Sequence, residues 1–147
     1  MAGNVSFTGH SLGGGMASAA SVVTRKPATT FNAAGLSAQT VGGYPASPAP
    51  VDAYYNDGDP LSAIQDHRGL VLAGGVIAGG VPAAGVVIDR EVSGQPILPK
   101  AYGTRHALPN VPPAGAGFVA RNNPVAEHGM DYVIRGVDAQ RRQCGCA

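Results

Sequence analysis

Asn4 to Thr8 alternates polar and apolar side chains, as a short strand does. Leu12 to Thr24 carries Leu, Met, Ala, Ser and Val with no breaker after Gly15, which predicts a helix, and Lys26-Pro27 stops it. Ala28 to Asn32 is β-branched and aromatic and reads as a second strand. Leu36 to Val41 predicts a short helix, Gly42 to Pro50 a loop, and Val51 to Asn56 a third strand. Strand, helix, strand, helix, strand is the βαβ pattern of a parallel sheet, so the expected class is α/β.

Two later stretches break this rhythm. Gly69 to Ile88 is twenty residues without a charge, bounded by Asp66-His67-Arg68 and Asp89-Arg90-Glu91. Its length matches a membrane span, but its six glycines and Pro82 weaken a helix in water. It reads as a buried or lid-like cover, an interfacial or membrane-inserting element, or a disordered loop. Ile97 to Pro113 is interrupted by proline and reads mostly as loop. The last helix is expected from near His128, with Met130, Val133, Ile134 and Val137 at i, i+3, i+4 and i+7 as its apolar stripe.

Composition narrows the class further. The 147 residues suit one domain, expected over residues 1–143 with 69–88 as an insert and 144–147 as a tail. Charged residues are 13% and the formal net charge is +1, which argues against a nucleic-acid partner. Aromatics are 5% while Gly and Pro number 22 and 12, so the core must use small aliphatics at close backbone approaches. The start has no basic and apolar leader pattern, so a cytoplasmic chain, or one exported by a specialised route, is expected. Cys144 and Cys146 stand in a Cys-Gly-Cys tail that reads as a frayed end, with metal binding or a redox role as the alternative. Cysteines not distributed through the fold do not suggest a disulfide framework, and two without further ligands do not suggest a zinc site.

The chemistry gathers at Gly9-His10-Ser11-Leu12-Gly13, a G-x-S-x-G pentapeptide. About 0.17 matches are expected by chance in so glycine-rich a chain, so the context decides its meaning. It follows a predicted strand and opens a predicted helix, as a nucleophile elbow requires. There the serine hydroxyl stands at a strained turn, and the Leu12 N–H at the helix start is placed to receive an oxyanion. Such a serine needs a base, and the base needs an orienting acid. His10 sits inside the elbow and reads as a structural or oxyanion-side residue. His67 borders the apolar segment and His106 lies in the proline-rich stretch. His128, far along the chain, suits a base above the sheet. Asp57 and Asp59 both follow the third strand, where parallel sheets place reactive groups. Pro60 fixes the turn at Asp59, while Asp57 stands in a natural turn former.

Val5 to Gly15, with its G-H-S-L-G-G run, resembles the elbow of class 3-type lipases. Ala28 to Leu36 is similar to the next strand of a bacterial lipase and phospholipase group, some of whose members are toxic effectors of contact-dependent secretion. Asp57-Gly58-Asp59-Pro60-Leu61 is similar to that group's acid-bearing segment, and His128-Gly129-Met130-Asp131 to its histidine-bearing one. The resemblance implies an α/β-hydrolase with a Ser11–Asp59–His128 triad, the Leu12 oxyanion donor, no metal and no cofactor. It also implies strands before the elbow and a second oxyanion donor from one of them. Only ten residues precede Ser11, so a partial fold from the elbow onward is expected, with the oxyanion hole half built.

The expected activity is ester hydrolysis on a lipid or phospholipid, with membrane-surface contact through 69–88. A non-catalytic membrane- or partner-binding fragment and a thioesterase are the alternatives, since one triad serves many acyl transfers.

Overall fold

The computed structural model describes residues 4–66, 99–117, 121 and 123–145. Their elements run β1 (Phe7–His10), α1 (Leu12–Thr24), β2 (Ala28–Phe31), a 3-10 turn (Ala38–Val41), β3 (Val51–Asn56), α2 (Pro60–Asp66), β4 (Thr104–Leu108), α3 (Pro124–His128) and α4 (Met130–Cys144). The strands form one parallel sheet in the order β1-β2-β3-β4, which makes the fold α/β. Phe7 pairs with Ala28, Ala28 with Val51, and Asp52 with Thr104, so all four strands end at the same edge.

Alternation along the strands divides the faces. Phe7, Ala28 and Val51 point one way and pack with Val22 and Ala19 of α1, together with Leu36, Val41, Ala49 and Tyr102. Phe31, Tyr54 and His106 point the other way and line a groove with Val137 and Gln140 of α4. Their rings stack across three strands, with centroids 5.8 and 4.8 Å apart.

β4 falls inside the stretch that the pattern assigned to loop. Its sequence, Thr-Arg-His-Ala-Leu, has no apolar alternation, because polar partners hold its side chains. Arg105 lies over the Tyr55 ring and bonds Asp66, while His106 pairs with Asp52 at 2.8 Å. α2 is a second element absent from the pattern reading. Asp59 caps it through the Ser62 N–H at 2.7 Å and Pro60 takes its first position, where a missing N–H costs nothing.

The stripe expected on the last helix is corrected. Tyr132, Val133 and Gly136 are its buried residues, while Ile134 is 53% exposed and Met130 is exposed as well. The helix sits rotated so that Gly136 meets Leu108 and the Pro109 carbonyl, an approach that a side chain there would block. The helix runs to Cys144 and is closed by Gly145 in the left-handed conformation. The segment 69–88 and His67 lie outside the described residues. Among the described residues, no helix is long and apolar enough to cross a membrane.

Candidate active site

β1 ends at His10, and the chain turns at once into α1. Ser11 is the pivot, with φ 55° and ψ −124°, a region that side chains rarely enter. The turn is possible because Gly9 has no side chain. A Cβ there would lie 2.2 Å from the Gly13 carbonyl oxygen. Gly14 likewise passes Ala33, where a Cβ would come within 2.7 Å of the Ala33 methyl. Gly13 has open space at its own Cβ position, so the close approach depends on the missing side chain of Gly9.

The main chain locks the pivot. The Ser11 N–H donates to Phe31 O at 3.1 Å, and Ser11 O accepts from the N–H groups of Gly14, Gly15 and Ala34. The Ser11 side chain makes no capping bond to α1, so its hydroxyl is turned outward. Leu12 begins α1, and an N–H in that position has no acceptor within the helix.

His128 meets this hydroxyl from the far end of the chain. It closes α3 rather than opening the last helix as expected, with Gly129 between it and α4. α3 is placed by Asn123, whose Oδ1 accepts from the N–H groups of Val125 and Ala126, and by Pro124 after it. His128 Nε2 lies 2.8 Å from Ser11 Oγ and its Nδ1 lies 2.6 Å from Asp59 Oδ1. A carboxylate only accepts, so Nδ1 carries the proton and Nε2 is left to accept the serine O–H.

Asp59 is buried and uses both oxygens, one for His128 and one for the Ser62 N–H that begins α2. Asp57 is exposed, and its N–H donates to Leu108 O. The geometry thus brings together Ser11, His128 and Asp59, and leaves Asp57 outside. His106 is drawn away to Asp52. His10 donates through Nε2 to the His128 carbonyl at 2.7 Å, with the two rings 4.9 Å apart.

Sequence reasoning missed Asn32 and Asn56. Each follows or ends a strand at the same edge of the sheet, and both are buried. Asn32 Nδ2 donates to the His128 carbonyl at 2.9 Å, and Asn56 Nδ2 to the Glu127 carbonyl at 3.2 Å. The sequence shows only an asparagine at or just past the end of two predicted strands, and neither its burial nor its distant partner is written there.

Below the site, Asp66 at the end of α2 meets Lys100 and Arg105. Burial pushes its carboxyl up, but the hydrogen bonds and charges of Arg105 and Lys100 outweigh this and hold it below the usual carboxylate value.

A parallel sheet with a strained serine at a strand-to-helix turn defines an α/β protein with a nucleophile-elbow-like turn. A family model described as phospholipase-like, the Tle-like phospholipase domain, matches residues 1–114. The chain belongs to this family, which places it among bacterial phospholipase effector-like proteins. The match includes Ser11, Leu12 and Asp59 and ends before His128. No curated protein matches the chain.

Proposed function

We propose that the chain is a serine ester hydrolase acting on phospholipid or other lipid esters. The observation that carries this reading is the continuous hydrogen-bonded chain Ser11–His128–Asp59, at 2.8 and 2.6 Å. Ser11 Oγ attacks the ester carbonyl while its proton passes to His128 Nε2. Asp59 holds the opposite N–H and stabilises the imidazolium. The oxyanion is received by the Leu12 N–H at the start of α1. The tetrahedral intermediate collapses as His128 gives the proton to the departing alcohol, leaving an acyl-serine. Water, activated by the same imidazole, releases the fatty acid and restores the serine. The family supports the lipid as substrate.

The test is covalent labelling by a fluorophosphonate together with hydrolysis of phospholipid vesicles. Labelling at Ser11 and release of fatty acid are expected, and Ser11→Ala abolishes both. A folded wild-type chain that neither labels nor hydrolyses a lipid ester overturns the proposal. A faster reaction on acyl thioesters than on oxygen esters moves it to a thioesterase.

A further inference from the structure

Three side chains converge on two consecutive main-chain carbonyls behind His128. Asn32 is 0% exposed and sits just past β2 with φ 42°. Its Nδ2 donates to the His128 carbonyl at 2.9 Å, and its Oδ1 accepts the Asn56 N–H at 2.9 Å. Asn56 then donates to the Glu127 carbonyl at 3.2 Å, and His10 adds its Nε2–H to the His128 carbonyl at 2.7 Å.

These bonds answer a specific need. α3 is five residues long, too short to hold its own shape. Its last carbonyls have no partner within the helix. An imidazole can keep Nε2 on Ser11 and Nδ1 on Asp59 only if the Cα that carries it is fixed. The Asn56 N–H and the His128 carbonyl lie on opposite sides of Asn32, so one side chain must donate and accept at once. An amide does both, and asparagine also tolerates positive φ. An ionised carboxylate in its place would only accept and would repel the His128 carbonyl.

We propose that Asn32 is a positioning residue for His128. It sets the imidazole by clamping the carbonyl of the same residue, with Asn56 and His10 as further tethers. This rests on the reading of Ser11–His128–Asp59 as the reacting chain.

The experiment compares wild type, Asn32→Asp and His10→Phe as full chains. Asn32→Asp keeps the backbone preference and the acceptor but loses the donor. His10→Phe keeps a ring at a partly exposed position and loses the other bond to the same carbonyl. Two readouts are followed. One is the low-field proton resonance of the His128 Nδ1–H held by Asp59, assigned with His128→Ala. The other is the rate of fluorophosphonate labelling at Ser11, with kcat and KM on a soluble ester.

For Asn32→Asp the resonance is expected to broaden or vanish. Labelling and kcat should fall by about 10²-fold with KM unchanged, the scale of a misplaced reacting group. For His10→Phe the same changes are expected at about fivefold, the worth of one neutral hydrogen bond. A merely structural Asn32 would lower the melting temperature and leave kcat and the resonance of the folded protein alone. That result overturns the proposal. If Asn32→Asp does not fold, unchanged values in His10→Phe overturn it. Should wild type fail to label, the hydrolase reading falls, and the resonance still decides whether the clamp orders His128.

Discussion

The two ends of the sheet are built by different means. Toward the strand starts, Val22, Ala28, Leu36, Ala49 and Val51 pack as a small aliphatic cluster. At the carboxyl ends, the buried polar residues Asn32, Asn56 and Asp59 are each tied by directed hydrogen bonds, beside the buried apolar Ala33 and Leu108. Burial of apolar surface is non-directional and proportional to area, so the first end tolerates repacking. Hydrogen bonds fail steeply with angle and leave a costly orphan when one partner goes, so the second end specifies positions. Stability and geometry are therefore carried largely by different residues.

The largest effect should separate the two ends most cleanly. Ser11→Ala is expected to lower turnover by about 10⁶-fold while the thermal midpoint stays within a few degrees. Coupled loss of folding would break the separation. Asp59→Asn should cost about 10⁴-fold in turnover by favouring the wrong imidazole tautomer. Its side-chain oxygen still accepts the Ser62 N–H, so α2 should survive in circular dichroism.

Gly9→Ala should damage both ends together. A methyl 2.2 Å from the Gly13 carbonyl must push α1 off β1, costing about 1–3 kcal/mol in a urea titration and slowing Ser11 labelling. Val51→Ala acts on the aliphatic end alone. Removing two buried methyl groups should cost about 2 kcal/mol, with the labelling rate of the folded protein unchanged.

The smallest effect concerns Asp66. Its pKa is held below the unfolded value, so the stability it adds is present above the unfolded pKa and is lost as pH falls through the folded one. Asp66→Asn should lower stability at neutral pH and flatten this acid-side loss, measured by urea titrations at neutral and acidic pH.

The elbow was legible because it is local. Gly9, Ser11 and the helix that follows are contiguous, and the steric demand of the turn writes itself into neighbouring residues. The aliphatic strands Ala28–Phe31 and Val51–Asn56 were legible because burial on a pleated surface selects β-branched and aromatic side chains. β4 was not, because Arg105 and His106 are held by partners 39 and 54 residues away. The Asn32 and Asn56 tethers reach 96 and 71 residues along the chain, where no local pattern can register them. The last helix's buried face was misread for a related reason: the close approach at Gly136, which carries no hydrophobic signal, helps set its rotation.

The distance in sequence between Asp59 and His128 has a consequence for timing. They are 69 positions apart. At about 5–20 residues per second, a ribosome needs roughly 3–14 s to travel from one to the other. Throughout that interval the nascent chain holds Ser11 and Asp59 without the histidine that bonds both. On the proposed reading, the growing polypeptide cannot hydrolyse an ester until His128 has been made and α3 reaches the sheet.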